Sequence, residues 1–284
     1  MSADFPNITI LGGGLLGGSL ALALAGKSNV RMWARRAETV EEALQLGIPG
    51  ATADLGEAVR EANLVILCVP VGSMPALVSM ALDAGLPEGS VITDVGSVKR
   101  APHQTIPPLL AGRGIEFIGS HPMAGSERNG LAAITADLFV NAACLLTNDE
   151  NADAAKTAAI EAFWKSVGCR TSWMTAAIHD ELVARISHLP HIVAASAARV
   201  CLKDASEGRF GGGGLRDTTR VASGNPDMWA EIVTENREAI TEPLREIIAD
   251  LGEILASLES GDQEAARQWL AAAKHQRDLL NPPC

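Results

Sequence analysis

The chain has 284 residues, 47% of them hydrophobic and 20% charged, which suits two globular domains, each with its own core. A formal net charge of −11 argues against nucleic acid or an anionic membrane as partner, and no apolar run reaches membrane-spanning length. The cysteines (Cys68, Cys144, Cys169, Cys201, Cys284) are scattered without paired spacing and fit the reduced thiols of a cytoplasmic protein, not a disulfide frame or zinc site.

Residues 7–11 read as a buried strand. Gly12-Gly13-Gly14-Leu15-Leu16-Gly17 follows and matches G-x-G-x-x-G, opening a helix expected to run through Ala25. In such a loop Gly12 makes the turn and Gly14 admits a pyrophosphate. Gly17 lets helix and strand pack, with Leu15 and Leu16 at the helix N-terminus that holds the phosphates. The alternative is a tight turn without ligand. Val30–Trp33 is the second strand, and it ends in Ala34-Arg35-Arg36 where NAD-binding chains place a carboxylate. Arg35 and Arg36 suit the 2′-phosphate of NADP, so NADP is the preferred cofactor, with NAD as the other possibility. Two solvated arginines, with Glu38 or a backbone group at the ribose, are the plainer reading.

Leu64–Val69 is a continuous apolar run ended by Pro70, as for a central parallel strand, and it puts Val69 at the carboxyl edge near the nicotinamide. Val91–Val95 ends in Gly96-Ser97-Val98-Lys99 at the same edge. Ser97 there is a donor to a substrate hydroxyl or the cofactor ribose, or a helix cap. The strand 116–119 runs into Ser120-His121-Pro122. Because the residue before proline is held extended, His121 is expected at a strand terminus, as a neutral acid/base with an unperturbed pKa of about 6.5. A structural histidine is the alternative. Residues 143–146 and 170–173 are expected to extend the same sheet. Alternating strands and helices mean an α/β Rossmann-type, doubly wound parallel sheet.

From about Met174 only helices are predicted, which places the domain boundary at 172: 1–172 for NAD(P) binding, and 173–284 as an all-helical substrate and dimerisation domain. One helix is expected over Thr175–Leu202. His188 and His191 share a face of it, whereas on an unbroken helix His179 points away from His188. A metal site is poorly served by that spacing, and none is expected. Gly211–Gly214 precedes Arg216 and Arg220, and Arg220 is suited to grip a carboxylate, or else is salt-bridged. Ile240, Leu244, Ile247, Ile248, Leu251, Ile254, Leu255 and Leu258 recur at helical spacing, a stripe read as a homodimer surface or as packing within its own domain.

Taken together, Gly12–Gly17, Asp94–Lys99, Ser120–Glu127, His179-Asp180, Ser187–His191, Gly211–Arg220 and Asn225–Trp229 resemble the prephenate/arogenate dehydrogenase family of tyrosine biosynthesis over nearly the whole of 7–280. The resemblance implies oxidative decarboxylation of a cyclohexadienyl substrate with hydride passing to NAD(P)+. It implies His121 at the ring hydroxyl with Ser97 beside it, and Arg220 at the ring carboxylate. His191 and Trp229 are implied near the side chain, with Trp229 drawn from this or the partner subunit. From the residues alone, His179, His188 and His191 are each either a substrate contact or a histidine satisfied in the core, and Arg216, a further candidate contact, stands where the family often has Lys. Asn129 is neutral where an acidic residue would favour the ammonium of arogenate, so prephenate is favoured. No stretch of the chain reads as a chorismate mutase or ligand-sensing domain, so any feedback control is expected to act at the active site. Two rivals stand beside this reading. A 3-hydroxy-acid dehydrogenase would use a lysine on the long helix, and none lies between Met174 and Leu202. A non-catalytic nucleotide-sensing dimer would not need polar groups converging at the strand ends.

Overall fold

The computed structural model describes residues 5–125, 130–204 and 206–280. Contacts divide the chain into one compact unit up to Asn236 and a second from Arg237. In the first unit β1 (Asn7–Leu11), β2 (Asn29–Trp33), β3 (Ala51–Thr52), β4 (Leu64–Leu67), β5 (Val91–Asp94) and β6 (Glu116–Phe117) form a parallel sheet in the order β3-β2-β1-β4-β5-β6. That order reverses direction between β1 and β4, which opens a crevice at the carboxyl ends of the strands. The two-residue β3 went unread in the sequence because it is too short for periodicity to register.

Strand alternation divides the core. Ile8, Ile10, Met32, Leu64 and Ile66 pack on one face with Leu20 and Trp164. Trp33, Val65, Leu67 and Ile92 pack on the other with Leu77, Val78 and Ile106. Burial on both faces is why these strands read as unbroken apolar runs. Around the sheet lie α1 (Leu15–Ala23), α2 (Ala37–Gln45), α3 (Leu55–Val59), α4 (Met74–Asp83), α5 (Arg100–Thr105) and α6 (Pro107–Leu110).

The run from 116 does not stay in one sheet. Ile118 N–H donates to Ile92 O at 3.0 Å, a backbone bond that still follows the first sheet. The chain then enters β7 (Gly119–Pro122), which pairs antiparallel with β8 (Ala143–Thr147); β8 pairs parallel with β9 (Arg170–Met174). The expectation that 143–146 and 170–173 extend the main sheet is therefore corrected: they build a separate three-stranded sheet. Gly119 sits at the changeover. A Cβ there would lie 2.3 Å from Thr147 Oγ1 and 2.9 Å from His103 Nε2, so only glycine lets β7 approach β8 this closely. His103 fills that corner, its Nε2 2.7 Å from Thr147 Oγ1 and its Nδ1 2.5 Å from Glu150.

Helix α7 (Ala154–Ser166) lies between β8 and β9, and Asp153 caps it. The long helix expected over 175–202 is present but carries a π turn, running as α8 (Ala176–Val183), the π turn over Ala184–His188, and α9 (Leu189–Cys201). Then come α10 (Gly213–Thr219) and α11 (Pro226–Glu235), whose Asn225 cap accepts from Met228 N–H. No described helix is long and apolar enough to cross a membrane.

The second unit is a pair of helices, α12 (Arg237–Ser260) and α13 (Gln263–Leu280), joined through Gly261 in a left-handed conformation. Trp269 Nε1 donates to Asp250 Oδ1 at 3.0 Å between them. Ile248, Leu251, Leu255 and Leu258 of the sequence stripe are exposed in the single chain.

Candidate active site

The glycine loop joins β1 to α1 at the crevice. Gly12 has φ of 132°, and a Cβ on it would lie 2.3 Å from Cys68 O; one on Gly17 would lie 2.0 Å from Gly12 O. Both positions require glycine for close backbone packing. Gly14 differs, because a Cβ there would meet nothing within 4 Å. Its space is open toward the N-terminus of α1, which has no acidic residue in its first turn and no side-chain cap. Free N–H groups, the helix dipole and a cleared approach fit a dinucleotide pyrophosphate. Leu15 and Leu16 begin the helix, half-buried, and Val69 is half-buried just past β4. Arg35 and Arg36 follow β2, both exposed, with Arg36 at the N-cap position of α2.

At the end of β5 a buried ion pair shapes the next turn. Lys99 Nζ donates to Asp94 Oδ2 at 2.5 Å, Gly96 O at 2.9 Å and Val98 O at 3.1 Å. Both side chains are fully buried. Asp94 also accepts from Gly96 N–H at 2.9 Å and Ser120 N–H at 3.0 Å. A buried charge pair is tolerable only when its remaining valences are met, and here they are. The two carbonyls that Lys99 holds flank Ser97, which is half-buried in the turn. The N-cap of α5 is Lys99, not Ser97, so the capping alternative for Ser97 falls away.

His121 is buried inside β7, opposite Leu145, and not at a terminus of the main sheet as expected. Its Nδ1 lies 2.9 Å from His179 Nε2, and His179 Nδ1 lies 2.8 Å from Asp180 Oδ1. The hydrogen positions follow from the far end. Asp180 Oδ1 accepts from Lys99 N–H at 2.7 Å and Oδ2 from Arg100 N–H at 3.0 Å. Burial opposes ionisation of Asp180, but the bonds from His179, Arg100 and Lys99 outweigh it and hold the carboxyl below its usual range. As a carboxylate it only accepts, so His179 Nδ1 donates to it. His179 Nε2 must then accept from His121 Nδ1–H, which leaves the lone pair of neutral His121 on Nε2. Burial, then the charges of His179, Lys99 and His188, keep the His121 pKa well below its ordinary value.

The π turn changes which histidines meet. On a regular helix nine residues at about 100° each set His179 and His188 on opposite sides. The π turn adds a residue without adding rotation and brings them to about 80° of one another. The helix is thus not the unbroken one on which His179 and His188 were expected to point apart, and both are buried, at 0% and 1% exposure. Asn236, at the C-cap of α11, donates from Nδ2 to Asp180 O at 2.8 Å and lies 3.0 Å from His188 Nδ1. His191, one turn on, stacks on Trp229 with ring centroids 3.5 Å apart and planes within 9°. Within the chain Trp229 therefore packs on His191, with His188 at its edge 6.1 Å away. Gly224 makes room for the stack, since a Cβ on it would lie 2.4 Å from Trp229 Nε1.

Arg216 and Arg220 are exposed on and just after α10. Ser126, Glu127 and Asn129 lie outside the described residues, so the argument for prephenate drawn from Asn129 stays with the sequence. Asp180, Lys99 and Asn236 were missed as site residues. Asp180 stood beside His179 and Lys99 in a named motif, but only the fold shows which atoms they hold. Asn236 carried no signal in the sequence.

Family models described as the prephenate dehydrogenase nucleotide-binding domain and the prephenate dehydrogenase dimerization domain match residues 20–173 and 175–272. The cyclohexadienyl dehydrogenase of Zymomonas mobilis is 36% identical over 269 residues, spanning 91% of this chain and 90% of its own. The prephenate dehydrogenase of Bacillus subtilis is 34% identical over 284 residues, spanning 96% of this chain and 76% of its own. The crystal structure of prephenate dehydrogenase from A. aeolicus, in complex with hydroxyphenyl propionate and NAD+, superposes with a TM-score of 0.87 at 26% identity, covering 99% of this chain and 100% of that one.

Proposed function

Since the chain belongs to the prephenate dehydrogenase family, we propose that it converts prephenate to 4-hydroxyphenylpyruvate and CO2 with hydride transfer to NAD(P)+. The observation that carries this reading is the Asp180–His179–His121 relay, which leaves a lone pair on His121 Nε2 beside the nucleotide crevice. A dinucleotide held by Gly12, Gly14 and Gly17 at the N-terminus of α1 would supply the hydride acceptor for the ring carbinol carbon. His121 Nε2 takes the hydroxyl proton as hydride leaves, and Asp180 stabilises the resulting imidazolium through His179. Loss of the ring carboxylate as CO2 aromatises the ring and drives the reaction forward. His121 then returns the proton to the phenolate oxygen, so no net proton is released. Ser97 orients the ring hydroxyl, while His191 and Trp229 face the side chain with Arg216 at its margin. The test is direct: adding prephenate to enzyme with NADP+ or NAD+ should raise reduced-nucleotide fluorescence, and no rise with either would reject the assignment.

Arg220 meets the ring carboxylate. An acidic protein must hold a dianion through few local cations, so Arg220→Ala should raise the KM for prephenate by about one to two decades. An unchanged KM would move the role to Arg216. Arogenate is the second reading, favoured by the Z. mobilis relative, which is named for the ring that both substrates share. Specificity constants for the two substrates decide between them.

NADP is the preferred cofactor, on the strength of Arg35 and Arg36 at the end of β2. Replacing both by Ala should weaken NADP+ by about tenfold or more while leaving NAD+ within about twofold. A wild-type enzyme more efficient with NAD+ would overturn the preference.

The active species is a homodimer built by the C-terminal helices. The dimerization-domain match and the exposed Ile248, Leu251, Leu255 and Leu258 support it. Light scattering should give about twice the 29.6 kDa chain mass; a monomer at micromolar concentration would reject it. We place the reaction in the cytoplasm, consistent with Cys68, Cys144, Cys169 and Cys201 being free thiols.

A further inference from the structure

Asn236 touches two groups whose chemistry is unequal. Asp180 O is a backbone carbonyl and only accepts, so the atom 2.8 Å from it must be the Asn236 nitrogen. That orientation is fixed by the carbonyl alone. The second hydrogen on the same nitrogen then points at His188 Nδ1, 3.0 Å away. His188 Nδ1 must therefore be the acceptor, and the proton of the neutral ring sits on Nε2. A protonated His188 would set one N–H against another, so the contact also favours the neutral ring. Burial acts in the same direction and lowers the His188 pKa to about 4, with Asp180 opposing and His179 and His191 adding.

The consequence is a donor with nowhere to go. His188 Nε2 is buried and has no hydrogen-bond partner among the described residues. His191 Nδ1, also buried, likewise has none there. A buried N–H without an acceptor is costly, and such groups are uncommon unless water, an ion or a ligand completes them. The orphaned atom is also placed where a ligand would reach it. His188 packs at the edge of Trp229, which stacks on His191, and it lies close enough to His121 to affect that group's charge.

We propose that Asn236 is a positioning residue that locks His188 in the Nε2–H tautomer, so that His188 donates to a carbonyl or carboxylate oxygen on the substrate side chain. The role of His188 at the side chain rests on the dehydrogenase reading; the tautomer lock does not. The arrangement suits a specificity element. A neutral donor recognises an acceptor oxygen without adding a cation beside His121, and a cation there would weaken it as a base.

The experiment uses the full-length enzyme with ring-15N histidine and 3-(4-hydroxyphenyl)propionate as the probe, with 4-ethylphenol as the control lacking the carboxylate. In the wild type, His188 should appear as the Nε2–H tautomer without ligand. Its Nε2 proton should shift downfield with the propionate and not with ethylphenol. A wild-type Nδ1–H tautomer overturns the lock, and an equal response to both probes, or to neither, overturns the side-chain contact. In Asn236→Asp the carboxylate should pull the proton to Nδ1. The KM for prephenate should then rise at least about tenfold, with the NAD(P)+ KM within about twofold. Retention of both tautomer and KM in that variant overturns the proposal. Should Asn236→Asp fail to fold, the wild-type spectra decide alone. Should the enzyme show no activity on prephenate, the tautomer measurement still stands, so failure of the function and failure of the lock are separately visible.

Discussion

His121→Asn is expected to lower turnover by at least about two decades while leaving cofactor binding unchanged, because a positioned general base commonly contributes about two to four decades. The tautomer chain makes the expectation specific. Asp180 and His179 together deliver one lone pair, on His121 Nε2, and asparagine at 121 supplies no basic nitrogen there. The pH dependence follows with a definite sign. On the proposed role of His121 as the base, activity requires it neutral, and its pKa is held well below the ordinary histidine value by burial and by His179, Lys99 and His188. In the profile of kcat/KM the limb due to His121 should therefore lie below pH of about 6.5, with activity lost only as pH falls through the depressed pKa. His121→Asn should remove that limb. Near-normal turnover in the variant, or an acid limb that persists unchanged, would shift the base to another residue, with His191 or Ser97 next to be tested.

Asp180→Ala should injure both catalysis and stability, and by separable amounts. Three donors converge on this carboxylate: His179 Nδ1–H, Lys99 N–H and Arg100 N–H. Removing it leaves buried N–H groups without acceptors, at roughly 1 kcal/mol or more each. A total of roughly 3 kcal/mol corresponds to a melting temperature lowered by about 6–12 °C. The catalytic loss has another origin. Without the anion nothing fixes His179 with Nε2 as acceptor, so His121 is free to carry its proton on Nε2, where it blocks the base. A base held in the wrong tautomer costs up to about four decades in comparable Asp–His pairs, and turnover should fall by at least about two. Asp180→Asn keeps the shape but must set its amide nitrogen against at least one N–H. It should be more stable than the alanine variant and still clearly slower than wild type. Thermal melts and steady-state rates on both variants check the two effects; an alanine variant with near-normal melting and turnover would remove Asp180 from the relay.

The cofactor half was legible in the chain because its determinants are local. Gly12, Gly14 and Gly17 act within one turn, and the runs 7–11, 64–67 and 91–94 are apolar on both faces because each strand is covered on both sides. Local signals also placed Ser97 just past the end of β5 and marked the exposed stripe on α12, whereas His121 proved to lie inside β7. What the chain alone did not disclose was pairing at long range. Whether residues 143–147 join β6 or turn to meet β7 depends on Gly119 fitting against Thr147, a contact across 28 positions that no periodicity encodes. The π turn at Ala184–His188 shifts register by one residue inside a sequence whose pattern still reads as regular helix, so the convergence of His179 and His188 was invisible. The same holds for the proton order in the relay. His179-Asp180 is adjacent in sequence, but which histidine nitrogen carries the proton is decided by Lys99 N–H and Arg100 N–H, some 80 residues away, which hold Asp180 as the acceptor. The sequence by itself therefore determined the elements and most of the reactive side chains. The tertiary structure decided their mutual orientation and protonation, because hydrogen bonds that select a tautomer are made only once distant segments are packed together.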